Sequence, residues 1–243
     1  MINFNSLQTN YILQTNHFKM TTIKEDLNQM YDKIVKNCQK CGGQGTILLK
    51  PFTPGVSEVV TDCECRHNYR AERDYYLIIS NSNIPKFQIE QKPIENMPET
   101  DMFFKIGMFD KAKTGLLVLG AFRTGKTTFA CDFLKKCARE GHSVKFWDFS
   151  TLVETMWRGE VREGDYKAYD ECLTVDILCL DDILSVEREH DFADRKLSTI
   201  INTRYNNMLP TVFTTNASKK ILSEKMNERT YRRLEEYCKF INI

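Results

Sequence analysis

The sequence predicts an α/β fold: a parallel sheet flanked by helices that presents a phosphate-binding loop, with a small cysteine-rich module ahead of it. Three observations predict it. The apolar run Gly115 to Leu119 leads into Gly120-Ala121-Phe122-Arg123-Thr124-Gly125-Lys126-Thr127, which has the GxxxxGK[ST] spacing, and Thr128 to Arg139 then carries apolar residues at helical intervals up to Gly141. A second apolar run, Thr174 to Leu180, ends in the paired acids Asp181 and Asp182. Upstream of both, Cys38 with Cys41 and Cys63 with Cys65 form two close-set pairs.

Strand, glycine loop and helix stand in the order that nucleotide binding requires, and the residue types follow from the chemistry. Gly120 and Gly125 let the backbone curl so that its N–H groups point at phosphate oxygens, and the helix N-terminus adds a favourable field for an anion. The binding stretch therefore runs from Gly120 to Thr128. Lys126 reaches the β- and γ-phosphates of ATP or ADP, and the Thr127 hydroxyl ligates Mg²⁺. At the end of the second run, Asp181 holds the Mg²⁺ shell and Asp182 orients the attacking water.

The totals exclude several classes of function. A chain of 243 residues with 42% hydrophobic content has ample material for one large domain, or for a medium domain with a satellite. A formal charge of +1 gives no global basic field, so nucleic-acid contacts must come from local patches. No apolar stretch approaches the roughly 20 residues that span a bilayer, and the N-terminus lacks the pattern of a signal peptide, so a soluble intracellular protein without a membrane partner is expected. In that compartment nine cysteines point to metal binding or buried thiols before disulfides.

In chain order, residues 1 to about 20 are rich in Asn, Gln and Thr and are expected to be poorly ordered. Thr21 to Lys36 places Ile23, Leu27, Met30, Ile34 and Val35 on one helical face. The cysteine pairs that follow have the layout of a tetrahedral Cys₄ zinc site, each knuckle setting two thiolates on one side of a tight turn. Cys38, Cys41, Cys63 and Cys65 are the expected ligands. His67 could replace a sulfur, although the Cys65-Arg66-His67 run is crowded and reads better as ending in an exposed histidine. Between the pairs, Thr46 to Lys50 and Ser57 to Thr61 alternate around Pro51 to Gly55 as a small hairpin does. A zinc held by four thiolates has no open position for catalysis, so this module is a fold element or a partner-binding knob.

Asn68 to Ser80 reads as a helix, broken by Ser80-Asn81-Ser82-Asn83-Ile84-Pro85. The domain boundary is placed there, giving residues 1–80 and 81–243. Ile84 to Glu99 is expected to lie against the nucleotide pocket, and Asp101 to Phe109 to form a short helix. Beyond the loop, Ser143 to Asp148 reads as a strand and Ser150 to Asp170 as a helical stretch. Asp191 to Asn207 is a helix, Pro210 to Asn216 a strand, Lys219 to Glu228 and Arg229 to Glu236 helices, and Tyr237 to Ile243 a last strand. Asn216, at the same sheet edge as the loop, is placed to hydrogen-bond the γ-phosphate or the water. Trp157, Arg158, Arg162, Tyr166 and Lys167 form a basic and aromatic stretch suited to single-stranded DNA, or equally a solvated helix face.

GAFRTGKT, ILCLDD, RYNNMLPTVFTTN and NERTYRRLEE resemble the AAA+ ATPases of the DnaC/DnaI helicase-loader and IstB group. CxxCGGxG followed by CxC, and then Ile84-Pro85-Lys86-Phe87, is similar to the zinc-bearing N-terminal part of DnaI-like and phage loaders. The resemblance covers most of the chain from Cys38 onward. It implies a P-loop AAA+ domain with a five-stranded parallel sheet in the order 5-1-4-3-2, a small N-terminal zinc-binding domain, and assembly on the DnaB-type replicative hexameric helicase. Such proteins work in the cytoplasm of a bacterial cell or phage-infected host. Asn216 falls at the family's sensor position. Arg233 matches the arginine finger, one helical turn after Arg229, and a finger acting in trans implies a homo-oligomer. Arg204 is a weaker candidate for an intersubunit or DNA contact.

Two departures stand out. The family usually has glycine where this sequence has Arg123. The sequence also stops at the fifth strand, without the helical lid and its second sensor arginine, which suggests slow intrinsic turnover or a switch driven by ATP binding. The leading reading is an ATP-dependent loader of the replicative helicase that binds single-stranded DNA. The alternatives are an IstB-like transposition helper ATPase and a nucleotide-gated adaptor with negligible hydrolysis.

Overall fold

A computed structural model of the chain describes residues 23–49, 59–91, 115–161, 166–184 and 190–243. The expected disorder of residues 1 to 20, the hairpin loop Pro51 to Gly55, the short helix over Asp101 to Phe109, and Arg162 lie outside the described residues. The chain divides into two compact units, Met1–Tyr76 and Leu77–Ile243.

In the first unit residues 23–31 are helical (α1) and the helix loosens into a π-helical turn at Asp32–Lys36. Strands β1 (Thr46–Leu49) and β2 (Val59–Asp62) pair antiparallel, Thr46 opposite Asp62. Helix α2 (Glu64–Ser80) begins at the second cysteine pair, and Tyr69 on it meets Tyr31 edge-on with centroids 5.1 Å apart. The buried centre of this unit is Val35, Cys63 and Cys65, packed by Ile34, Cys38, Cys41, Ile47 and Tyr69. Among the described residues so few aliphatic side chains supply little hydrophobic stabilisation, the circumstance in which small modules depend on a metal or a disulfide.

The second unit is an α/β sandwich. After the end of α2 come the short helix α3 (Lys86–Glu90), β3 (Gly115–Leu119), α4 (Lys126–Arg139), β4 (Val144–Asp148) and α5 (Phe149–Val161). Then follow α6 (Lys167–Thr174), β5 (Ile177–Asp181), α7 (His190–Asn206), β6 (Thr211–Thr215), α8 (Lys219–Lys225), α9 (Glu228–Tyr237) and β7 (Cys238–Asn242). The five strands from β3 to β7 form one parallel sheet in the spatial order β4-β5-β6-β3-β7, which is the expected 5-1-4-3-2 when these strands are numbered in chain order. β3 and β6 are buried along their whole length, as strands covered on both faces must be.

The expected helical stretch from Ser150 to Asp170 is two helices, α5 and α6, on either side of residues 162–165. Asp148 caps α5, its carboxylate accepting from the Ser150 hydroxyl at 2.6 Å and from the Thr151 N–H and hydroxyl at 2.8 Å. The Asn227 side chain accepts from the Arg229 N–H at 3.0 Å, so α9 starts at Glu228 and α8 ends earlier than the sequence suggested.

Residues after α2 cover the outer edge of the sheet: the Phe146 N–H donates to the Ser82 carbonyl at 2.7 Å, and Lys145 Nζ donates to the Asn81 carbonyl at 2.9 Å. A pairing partner on β4 blunts an otherwise open strand edge.

Arg204 overturns one expectation. It is fully buried, so it makes neither an intersubunit nor a DNA contact. Its Nε donates to the Thr211 hydroxyl at 2.7 Å, Nη1 to the carbonyls of Cys172 and Val175, and Nη2 to those of Asp176 and Pro210. One guanidinium thus ties the end of α6 and the approach to β5 to the start of β6. All five donors are used, as a buried cation requires.

Candidate functional site

The phosphate-binding loop sits between β3 and α4, at the carboxyl edge of the sheet. Gly120 is required by a close approach: a Cβ there would stand 2.3 Å from the carbonyl oxygen of Ile243, whose own N–H donates to Leu119 at 2.9 Å. Further along, Arg123 and Gly125 both have positive φ, 65° and 95°. Left-handed backbone at these two points turns successive N–H groups toward one concavity. Arg123 therefore occupies a backbone conformation suited to glycine, which accounts for glycine being usual there.

Lys126 is buried, and its ammonium donates to the carbonyls of Gly120 at 2.9 Å and Ala121 at 2.5 Å, inside the curl of the loop. The Thr127 hydroxyl donates to Asp181 at 2.8 Å and 3.1 Å, bringing the two expected magnesium ligands together across α4 and β5. Thr214 on β6 was not singled out in the sequence. Its hydroxyl donates to Asp181 Oδ1 at 2.5 Å and accepts from the Asp182 N–H at 3.0 Å, so one buried threonine fixes both acids.

Asp182 has φ 55°, a left-handed conformation that aspartate tolerates better than glutamate, whose longer side chain cannot make the same local hydrogen bonds. Burial, the neighbouring Asp181 charge and Asp148 raise its pKa, while the Asn216 N–H and Lys126 oppose the shift. Asp148 stands opposite Asp181 in the β4–β5 register. Burial disfavours ionisation of Asp148, but the Ser150 and Thr151 donors outweigh it and keep its pKa below the ordinary value. A carboxylate with a raised pKa is a better proton acceptor. Asn216 is thereby at the site through its backbone.

Helix α3 packs against α4; of the arm expected over Ile84 to Glu99, residues 92–99 lie outside the described residues. Gln88 Nε2 donates to the Thr128 hydroxyl at 3.2 Å, and the buried Lys135 donates to the carbonyls of Gln88 and Gln91 at 2.8 Å and 3.2 Å.

Arg233 is elsewhere. Its guanidinium lies over the Tyr205 ring, 4.3 Å from the centroid, and 3.5 Å from the Glu236 carboxylate. Tyr205 is close to the end of α7, which leads into the start of β6, so the pair lies toward the sheet edge opposite the phosphate-binding loop. Arg229 is exposed on the first turn of α9. In the basic and aromatic stretch, Trp157 is 42% exposed but stacks edge-on against Phe192 at 5.3 Å, Arg158 pairs with Glu154, and Tyr166 is 47% exposed.

In the first unit the four sulfurs of Cys38, Cys41, Cys63 and Cys65 lie within 4.8 Å of one another. Cys38 and Cys63 are 3.9 Å apart and Cys41 and Cys65 3.6 Å. Four thiolates about 2.3 Å from one zinc would be about 3.8 Å apart, so the donor set fits that ion. The Gly45 N–H reaches Cys41 Sγ at 3.2 Å. Burial works against the Cys41 thiolate, but this N–H and the other thiols outweigh it and hold its pKa at about 6. His67 is exposed and stands outside the cluster.

The architecture is found in known proteins. The crystal structure of the DnaC helicase loader is 25% identical with a TM-score of 0.55, over 64% of this chain and 95% of that one. DnaI is 20% identical with a TM-score of 0.56, over 67% and 95%. The replication initiator DnaA bound to AMPPCP and single-stranded DNA is 18% identical with a TM-score of 0.53, over 65% and 50%, and like DnaI it is a likeness of fold. No curated protein matches the sequence. Residues 105–238, more than half of the chain, match the IstB-like ATP binding protein family, and the chain belongs to that family.

Proposed function

We propose that this chain is an ATP-dependent loader of a DnaB-type replicative helicase, oligomerising on the helicase and engaging single-stranded DNA. The observation that carries the reading is the pairing, in one chain, of an IstB-like ATP-binding domain with a four-thiol cluster built for zinc. The 25% identity to the DnaC helicase loader across nearly all of that protein supports it.

In this reading the loop N–H groups and Lys126 bind the triphosphate, and Thr127 and Asp181 would hold Mg²⁺, which would neutralise phosphate charge. Thr214 keeps Asp181 turned toward Thr127 and sets the Asp182 backbone. Asp182 orients the attacking water and accepts its proton as the water oxygen bonds to the γ-phosphorus and the bond to the β–γ bridging oxygen breaks, ADP leaving with that oxygen, and Asn216 sits beside it to fix that water. Arg233 serves a neighbouring subunit's site. Exposed Tyr166 and the rim of Trp157 supply stacking surface for single-stranded bases. Cys38, Cys41, Cys63 and Cys65 would hold zinc, which would tie together the module around Val35, the part that grips the helicase.

A pull-down with the replicative helicase, with and without ATP and with Lys126→Ala, tests the reading. Nucleotide-dependent association is expected, and no association in any nucleotide state overturns it. Protein purified in metal-free buffer should carry about one equivalent of zinc. The second reading, an IstB-like transposition helper, is favoured by the family match itself. It predicts binding to a transposase and not to the helicase. A pure adaptor is disfavoured by the paired acids Asp181 and Asp182.

A further inference from the structure

We propose that Tyr205 is a positioning residue for Arg233, a fixed aromatic platform that holds the guanidinium in the direction from which it meets a second copy of this chain. The inference rests on the reading of Arg233 as a finger acting in trans.

The stack is the principal hold on the side chain. Glu236 is 60% exposed and 3.5 Å away, and an ion pair of that kind contributes little. The tyrosine ring at 4.3 Å holds Arg233 over its face, where a guanidinium gains both electrostatic attraction and flat contact.

The platform is itself immobilised from behind. Tyr205 meets Tyr237 edge-on at 5.9 Å, and the Tyr237 hydroxyl lies 2.6 Å from the Thr211 hydroxyl, which also accepts from Arg204 at 2.7 Å. Adjacent residues of α7 thus divide the work. Arg204 points inward and locks the sheet, and Tyr205 faces α9 and presents a surface to Arg233. A long arginine side chain loses rotamer entropy when it must be ordered, and a pre-stacked one has lost part of it before the neighbour arrives.

The test is steady-state ATP hydrolysis by the full-length protein with helicase and single-stranded DNA. Tyr205→Ala should lower kcat roughly 3- to 30-fold, the range a cation–π contact allows, with KM for ATP unchanged. Tyr205→Phe should keep the parent rate, because the ring alone makes the platform. Mixing Tyr205→Ala with Lys126→Ala should restore turnover, since one variant brings intact acids and loop and the other an intact stacked finger. A general folding defect would not be rescued in this way.

A parent-like rate for Tyr205→Ala, with Arg233→Ala slow, overturns the platform and leaves the finger standing. A parent-like rate for Arg233→Ala overturns the finger reading first. A mixture that stays slow while Arg233→Ala with Lys126→Ala recovers also overturns the platform.

Discussion

The two edges of the central sheet are built on opposite principles. At the amino edge Arg204 satisfies all its donors, and Thr211 and Tyr237 close the network around it. At the carboxyl edge Arg123 and Asp182 both sit at positive φ, and Asp148, Asp181 and Asp182 crowd like charges together. The strain and repulsion are gathered where a triphosphate and its cation would be received, and the fully bonded edge holds the frame that maintains them.

Breaking the amino edge should have the largest effect. Arg204→Met keeps the apolar stem but takes the guanidinium from the carbonyls of Cys172, Val175, Asp176 and Pro210, of which Pro210 keeps the Leu178 N–H. The expected loss is about 3–5 kcal/mol, a large part of the stability of a domain. Arg204→Lys should recover only part of it, because an ammonium offers three donors where five are used. Urea titration measures both, and a loss below about 1 kcal/mol for Arg204→Met would show that the clamp is dispensable.

At the carboxyl edge the sign reverses. The Asp182 carboxyl has a raised pKa in the folded chain, so its ionised form is disfavoured by folding. That cost is fully present above the folded pKa and vanishes below the unfolded value. Asp182→Asn removes the charge and suits the left-handed backbone. It should therefore raise Tm at pH 7 while lowering hydrolysis about 10²- to 10⁴-fold. The gain in Tm should disappear at low pH, where the parent carboxyl is itself neutral. A lowered Tm at neutral pH would contradict the burial argument.

What could be read from the sequence was local. Gly120 to Thr127, the run ending in Asp181 and Asp182, and the cysteine pairs each carry their chemistry within a few residues, and the hydrophobic periods around them gave the strands. Thr214 was not legible, because a threonine in TVFTTN has the same pattern whether its hydroxyl faces the core or Asp181. Arg204 was misread for a related reason: an arginine near the end of a helix is ordinarily solvated, and only the approach of four carbonyls from other segments makes burial favourable. The stack of Arg233 on Tyr205 joins two helices far apart in sequence and leaves no periodic trace.

Arg123 is the smallest and most discriminating case. Its backbone conformation costs a side-chain-bearing residue about 1 kcal/mol, and its cation stands in a phosphate-binding loop. Two substitutions separate these effects. Arg123→Gly removes the strain and the charge, although the freer unfolded chain takes back part of the gain in stability. Arg123→Ala removes the charge and keeps the strain. If the cation assists binding, both variants weaken ATP affinity by a similar factor of about 2 to 5, and only Arg123→Gly melts higher than Arg123→Ala. If the loop geometry dominates, Arg123→Gly binds ATP more tightly than the parent and Arg123→Ala does not. Isothermal titration with ATP, alongside thermal melts, distinguishes the two. The first outcome is expected, since the loop already holds the left-handed turn with arginine in place and only the charge is left for the side chain to contribute.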